Sequence, residues 1–313
     1  MRATDDSIFG FNVSPHPLFS GRYCHFSIDL VVSQMGEILE IGQMLTVDEA
    51  GFIIREASID KILAEWRLLV DRVILAYQTY WNEAIHSIYI RGSVAVGKAI
   101  SGVSDLDSFA VVNTEKLQLD DSWFDPVKKQ LQLEYPFCTG VELKALEAEG
   151  LLNFNLENYN HLRMLLKTQA ACVCGEDISL QFPSYKPDIN AVSHGFNLEE
   201  DLQRVLIDLQ QLCKTESATV QKICQWIMKR IVRSGFEIVM ETAQCYTRDL
   251  YPCYQLFSRY FPEKQSQMYQ ALTWAINPID DPVKISKFLN SFGGWLVEEI
   301  DLCYPPLTVP PQS

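Results

Sequence analysis

The chain has 313 residues, with 26 Lys and Arg against 40 Asp and Glu, a formal charge of −14, and 48% hydrophobic residues. This composition excludes disorder and low-complexity character, and the length suffices for one large domain or two ordinary ones. A pI near 4.8 counts against gripping nucleic-acid backbones, which needs clustered Lys and Arg, and suits small cationic substrates slightly better.

The start, MRATDDSIFG, has no apolar run behind Arg2 and does not read as a secretory leader. No apolar stretch approaches the length of a bilayer span. Residues 1–57 read as an N-terminal extension of loops and short strands, with residues 37–41 and 51–55 as the strand candidates. A strong helix is expected next, with Ser58 as N-cap. Ile59, Ile62, Leu63, Trp66, Leu69, Val70, Val73, Ile74 and Tyr77 share one face at i, i+3, i+4, i+7 spacing. Apolar runs at 85–90, at 109–112 and around Val141-Glu142-Leu143 read as strands. A glycine turn with a short helix separates the first two, and a polar helix over 122–134 precedes the third. That order predicts an α+β fold with a small mixed sheet.

A helix is expected over 157–173, capped by Gly175. Pro183 and Pro187 then mark a linker. Helices follow over 198–214, 220–242, 250–261, 265–275 and 283–303, and the proline-rich end PPLTVPPQS reads as a tail. The expected division is an N-terminal extension (1–57), an α+β domain (58–190), an all-helical domain (191–304) and the tail (305–313). The nine cysteines are odd in number and contain no C-x-x-C. Cys172 and Cys174 have only His161 nearby, a poor zinc pattern. All nine read as reduced residues of a cytoplasmic protein. The five histidines form no spacing pattern, and none is assigned a role.

The chemistry lies in Arg91-Gly92-Ser93 … Ser104-Asp105-Leu106-Asp107, which leads into the second apolar run. On a strand, Asp105 and Asp107 share a face with Cα atoms roughly 6.6 Å apart. Two anions so close repel unless a cation sits between them. A hard divalent ion such as Mg²⁺ suits carboxylates together with substrate phosphates. Gly92 and Ser93 follow one strand and open a helix, so free N–H groups and a hydroxyl can face phosphate where no Cβ intervenes. Ser104 opens the second half of the motif and is grouped with the nucleotide-binding residues. A lone D-x-D or Gly-Ser turn means little; the conjunction of the two, each on its strand, is what carries weight.

This arrangement resembles the nucleotidyltransferase domain of the DNA polymerase β superfamily, most closely its bacterial branch of aminoglycoside adenylyltransferases and minimal nucleotidyltransferases. The family's G-S … D-x-D pattern matches at Gly92, Ser93, Asp105 and Asp107, and the resemblance covers about residues 59–185. Gly175-Glu176-Asp177-Ile178 is similar to the end of that domain, whereas the helical half is only loosely similar to the branch's C-terminal domains. The resemblance implies Mg²⁺, two ions, held by Asp105 and Asp107, and ATP or another NTP as substrate. It also implies a third carboxylate on a later strand, for which Glu142 is the candidate, as metal ligand or general base; the other reading of Glu142 is a solvated surface residue. Lys98 is either a solvated helix residue or a contact to the β and γ phosphates. Lys229 and Arg233 share a helix face and either meet the triphosphate or face solvent. The expected activity is transfer of a nucleotidyl group, AMP from ATP in the leading reading, to a hydroxyl of a small molecule or protein, with release of pyrophosphate. The alternative is a non-catalytic nucleotide-binding or antitoxin-type interaction protein on the same scaffold.

Overall fold

The computed structural model describes residues 38–115, 119–212 and 216–305. Residues 1–37 of the expected extension and 306–313 of the expected tail lie outside the described residues. Four strands form the sheet: β1 (Ile85–Arg91), β2 (Leu106–Val112), β3 (Val141–Glu147) and β4 (Ala170–Gly175). Their order is β3-β2-β1-β4, with β1 antiparallel to β2 and β4, and β2 parallel to β3. The sheet is therefore mixed, as expected.

Both faces of the sheet are covered, which is why its central strands are apolar on both sides. On one face lies α1 (Ala64–Trp81), whose Trp66, Leu69, Val70, Val73 and Tyr77 recur at helical spacing. They pack with Ile88, Ile90, Leu106, Ala110 and Val112 in one core cluster. After β1 comes the single-turn α2 (Gly92–Ala95), and between β2 and β3 lies α3 (Phe124–Glu134), which adds Leu131 to that cluster. On the other face Tyr89, Phe109, Val111 and Ala170 join the core of the helical half.

That half follows α4 (Ala148–Leu152) and α5 (Asn160–Gln169) and comprises α6 (Leu198–Gln211), α7 (Ser217–Ala243), α8 (Leu250–Tyr260), α9 (Gln265–Ile276), α10 (Pro282–Phe288) and α11 (Gly294–Cys303). Helix α7 is the central one. Cys224, Ile227, Met228, Ile231, Val232, Phe236 and Met240 bury most of its circumference, against α6, α8, α9 and α11. The helix expected over 283–303 is a continuous run in which the π turn Leu289–Gly293 joins α10 to α11. No helix among the described residues is long and apolar enough to cross a membrane. The seven described cysteines are free thiols.

Three expectations need correction. Ser58 caps a 3₁₀ turn, Ile59–Lys61, and not the long helix, which starts at Ala64; Ile59 and Leu63 are accordingly exposed. The segments over 38–41 and 51–55 do not form strands, and only the isolated bridges Val47 to Ile53 and Leu45 to Tyr246 appear there. The helix expected over 157–173 stops at Gln169, and the Ala-Ala-Cys-Val-Cys run beyond it pairs with β1 as β4. Small apolar residues read equally well in either period, so tertiary pairing decides. Gly175 is consequently not a helix cap. It sits at φ +78°, where a Cβ would come within 2.2 Å of the His86 carbonyl oxygen.

Candidate active site

Strand register assembles the site. Arg91 on β1 stands opposite Asp107 on β2, and Asp107 stands beside Glu142 on β3. The three form one row across three adjacent strands. Alternation fixes the face they share: Tyr89, Phe109 and Val111, at even spacing from them, belong to the helical-half core. Ser108 and Leu143, one step on, point to the α1 side. The row therefore faces α7.

Distances within the row are short. Arg91 Nη2 lies 3.2 Å from Asp107 Oδ2 and 3.2 Å from Glu142 Oε2, and Lys144 Nζ lies 2.6 Å from Glu142 Oε1. The guanidinium stacks over Phe109 at 5.4 Å. The Asp107 and Glu142 carboxyls lie close enough on their adjacent strands to act on each other. Burial pushes the Asp107 carboxyl up from the usual range; Arg91 pulls it down, while Glu142 and Asp105 add to the rise. Burial pushes Glu142 upward, but Asp107, Lys144 and Arg91 beside it bring it below the usual range.

A polar brace stands behind the row. Ser108 Oγ donates to the Glu142 carbonyl at 2.7 Å, and the Lys144 N–H donates to Tyr77 Oη at 2.8 Å. Tyr77 Oη is also 3.1 Å from Ser108 Oγ. Tyr77 thus ties α1 to β2 and β3 directly behind the two carboxylates, and burial raises its phenol above the usual range.

Gly92 takes φ +73°, and a Cβ there would lie 3.4 Å from Asp107 Oδ2. Glycine at this position keeps the approach to the carboxylate open. Helix α2 has no side-chain cap. Asp105 is exposed, one residue ahead of β2, and near enough to act on Asp107. From α7, Lys229 comes near Asp105 and Asp107: burial and Arg233 pull its ammonium down, and the two aspartates push it back up. Arg233 Nε donates to the Arg248 carbonyl at 3.1 Å. Burial, Arg248 and Arg91 bring the Arg233 guanidinium down to about 10.

The structure thus brings together Gly92, Asp105, Asp107, Glu142, Lys229 and Arg233. Ser93 follows Gly92 in the same turn. Lys98 is exposed and donates to Gln43 Oε1. Ser104 Oγ accepts from the Ile100 N–H at 2.9 Å, closing its own turn. Arg230, a neighbour of Lys229 in sequence, turns away to Asp201 and Trp226. Sequence reasoning missed Arg91, Lys144 and Arg248. Lys144 had a readable signal, since it lies two positions from Glu142 on the same strand, and Arg91 adjoins Gly92 in the motif itself.

The donors suit a hard cation in kind. They are carboxylate oxygens on adjacent strands, drawn together around one guanidinium nitrogen 3.2 Å from each. No three His, Cys, Asp or Glu side chains among the described residues form a ready-made metal centre. A divalent ion would therefore need other oxygens, such as substrate phosphates, to complete its shell.

No family model matches the chain, and no curated protein sequence matches it. Among solved structures, spectinomycin adenyltransferase AAD(9) from Enterococcus faecialis, crystallised with ATP and spectinomycin, is similar with a TM-score of 0.45 at 12% identity. The likeness covers 75% of this chain and 99% of that one. Identity that low and a superposition that loose carry nothing about activity.

Proposed function

We propose that the chain is a nucleotidyltransferase that moves a nucleotidyl group from ATP or another NTP to an acceptor hydroxyl. The observation that carries the reading is the Asp107–Glu142 pair, set beside the open Gly92 turn and faced by Lys229 and Arg233. Carboxylates for a metal ion on one side and cations for a polyphosphate on the other are the two halves that nucleotidyl transfer requires.

Asp105 and Asp107, with Glu142, would hold Mg²⁺, which when bound polarises the α-phosphate and offsets charge on the leaving pyrophosphate. Lys229 and Arg233, joined by Arg248, neutralise the β and γ phosphates. The Gly92-Ser93 turn lets those phosphates approach the backbone. The acceptor oxygen attacks the α-phosphorus, the bond from that phosphorus to the β-bridging oxygen breaks, and pyrophosphate leaves. The acceptor's proton passes to Glu142 or to water. A small molecule or a protein hydroxyl suits the acceptor better than nucleic acid, given the charge of −14.

One observation favours a second reading. Arg91 and Lys144 already neutralise the carboxylates, as in a protein that binds nucleotide without turning it over. Incubation with α-labelled NTPs, Mg²⁺ and a panel of acceptors decides between them. Label is expected to move to an acceptor, and Asp107→Asn is expected to abolish the transfer at an unchanged or slightly raised unfolding temperature, since the amide keeps the shape and spares the cost of burying a carboxylate. Near-normal transfer by the variant overturns the reading. Nucleotide binding with no transfer to any acceptor favours the second one.

A further inference from the structure

We propose that Arg91 is a resident counter-ion of the metal site, occupying the place between Asp107 and Glu142 in the free protein and yielding it when the divalent cation arrives with nucleotide. The inference rests on the reading of Asp107 and Glu142 as metal-holding carboxylates. It adds that wild-type protein resists metal alone and takes metal and nucleotide together.

Geometry supports each part. One nitrogen, Arg91 Nη2, bridges oxygens of both carboxylates at equal distances of 3.2 Å, the bridging position that a cation shared by the pair would take. The grip is loose. A forked guanidinium–carboxylate pair uses two nitrogens at about 2.7–2.9 Å, whereas here a single nitrogen is shared at longer range. Arg91 Nε is buried with no hydrogen-bond partner among the described residues. A buried N–H without an acceptor is costly, and a phosphate oxygen entering beside the row would satisfy it.

Arg91 cannot leave by losing its proton, because a guanidinium stays charged. It has to move. The Phe109 ring beneath it supplies an apolar surface along which the planar group can slide without giving up its stacking. Arg91 is the last residue of β1, directly before Gly92, so the same backbone turn holds both the counter-ion and the opening for phosphate. Exchange of partners, from carboxylates to phosphate, would couple metal entry to nucleotide entry. Arg91 acts here as a positioning residue, because it touches the carboxylates and not the reacting atoms.

The test measures Mn²⁺ binding to purified full-length protein by the paramagnetic resonance signal of free Mn²⁺, without nucleotide. Wild type is expected to bind Mn²⁺ weakly, and Arg91→Gln to bind it about tenfold or more tightly, since a cation within a few ångströms of the site is gone. Adding Asp107→Asn to Arg91→Gln is expected to remove that gain. A second arm titrates a non-hydrolysable ATP analogue without metal, where Arg91→Gln is expected to bind several-fold more weakly. Mn²⁺ affinity of Arg91→Gln equal to wild type overturns the counter-ion role and leaves the transferase reading standing. Tight Mn²⁺ binding that survives in the double variant instead overturns the assignment of metal to these carboxylates, and the transferase reading with it. Should Arg91→Gln not fold, Arg91→Met removes the charge while keeping an apolar contact with Phe109. It is expected to gain about tenfold in Mn²⁺ affinity, and no gain overturns the proposal.

Discussion

Lys229 and Arg233 are the residues whose role the surrounding charges make most testable. They lie i and i+4 on α7, on the side that faces the carboxylate row, and burial, with like-charged neighbours adding to it, depresses both. Lys229, Arg233, Arg248 and Arg91 gather beside the carboxylate row, and a triphosphate would bring four further negative charges to them. Each charge-assisted contact of this kind is worth about 1.5–3 kcal/mol, or about tenfold to a hundredfold in affinity. Lys229→Ala and Arg233→Ala are accordingly expected to weaken NTP binding by that factor while leaving acceptor binding nearly unchanged. Calorimetric titration of nucleotide into each variant checks this, and unaltered affinity would leave both as structural cations, held by burial and, for Arg233, by the Arg248 carbonyl. Lys98 gets no such expectation, because Gln43 accounts for its ammonium.

At the scale of elements, α7 is fixed to the chain that leads into α6 by a buried clamp. Glu237 accepts from the backbone N–H groups of Ser193, His194 and Gly195, at 3.0, 3.1 and 2.7 Å respectively, and lies 3.0 Å from His194 Nδ1. Burial brings the His194 imidazole down to about 3, with Arg248 and Arg233 adding to the fall and Glu237 opposing it. In the unfolded chain it titrates near 6.5. Between those values the unfolded state binds a proton that the folded state refuses. The contribution of His194 is therefore complete above about pH 6.5 and is lost as pH falls. From pH 7 to pH 5 that one group should remove about 2 kcal/mol. His161, brought down to about 4 chiefly by burial, acts in the same direction. Asp107, with its raised carboxyl, acts in the opposite one, so the informative quantity is the difference between variant and wild type. His194→Gln is expected to flatten the decline by about that amount in denaturant titrations at the two pH values. An unchanged slope would show that His194 takes up its proton in the fold as it does in the unfolded chain.

For the molecule as a whole, the sheet and the helical half share a core. Tyr89, Phe109 and Val111 belong to the same cluster as Leu202, Ile231, Phe257 and Leu296, and the described residues belong to one compact unit. Separate unfolding of residues 191–304 would bare the apolar face of β1 and β2, a loss of order 25 cal/mol for each Å² exposed. A single cooperative transition is therefore expected, with tryptophan fluorescence and far-ultraviolet dichroism coinciding. Two separated transitions would mean that the helical half holds together alone. Because α7 carries Lys229 and Arg233 to the row on the sheet, the same shared core also sets the width of the nucleotide site.

The sequence by itself determined the local pieces. Trp66, Leu69, Val73 and Tyr77 recur at the period of a helix that buries one stripe. Gly92 and Ser93 follow a strand, Asp107 opens the next, and Glu142 is the acidic residue centred in the third apolar run. Each of these rests on interactions between near neighbours in the chain, which is why spacing alone reveals them. Tertiary structure decided what depends on partners far away. The run 170–175 is a strand only because β1 offers it an unpaired edge, and Ala-Ala-Cys-Val-Cys has no period of its own to choose between strand and helix. Register, not spacing, set Arg91, Asp107 and Glu142 side by side, since a shift of one residue would have turned each to the other face. Arg91 reads from the sequence as the end of a strand. Only the neighbouring strands make it the cation between two carboxylates, because strand order and direction are set by the packing of the whole sheet against α1 and α7.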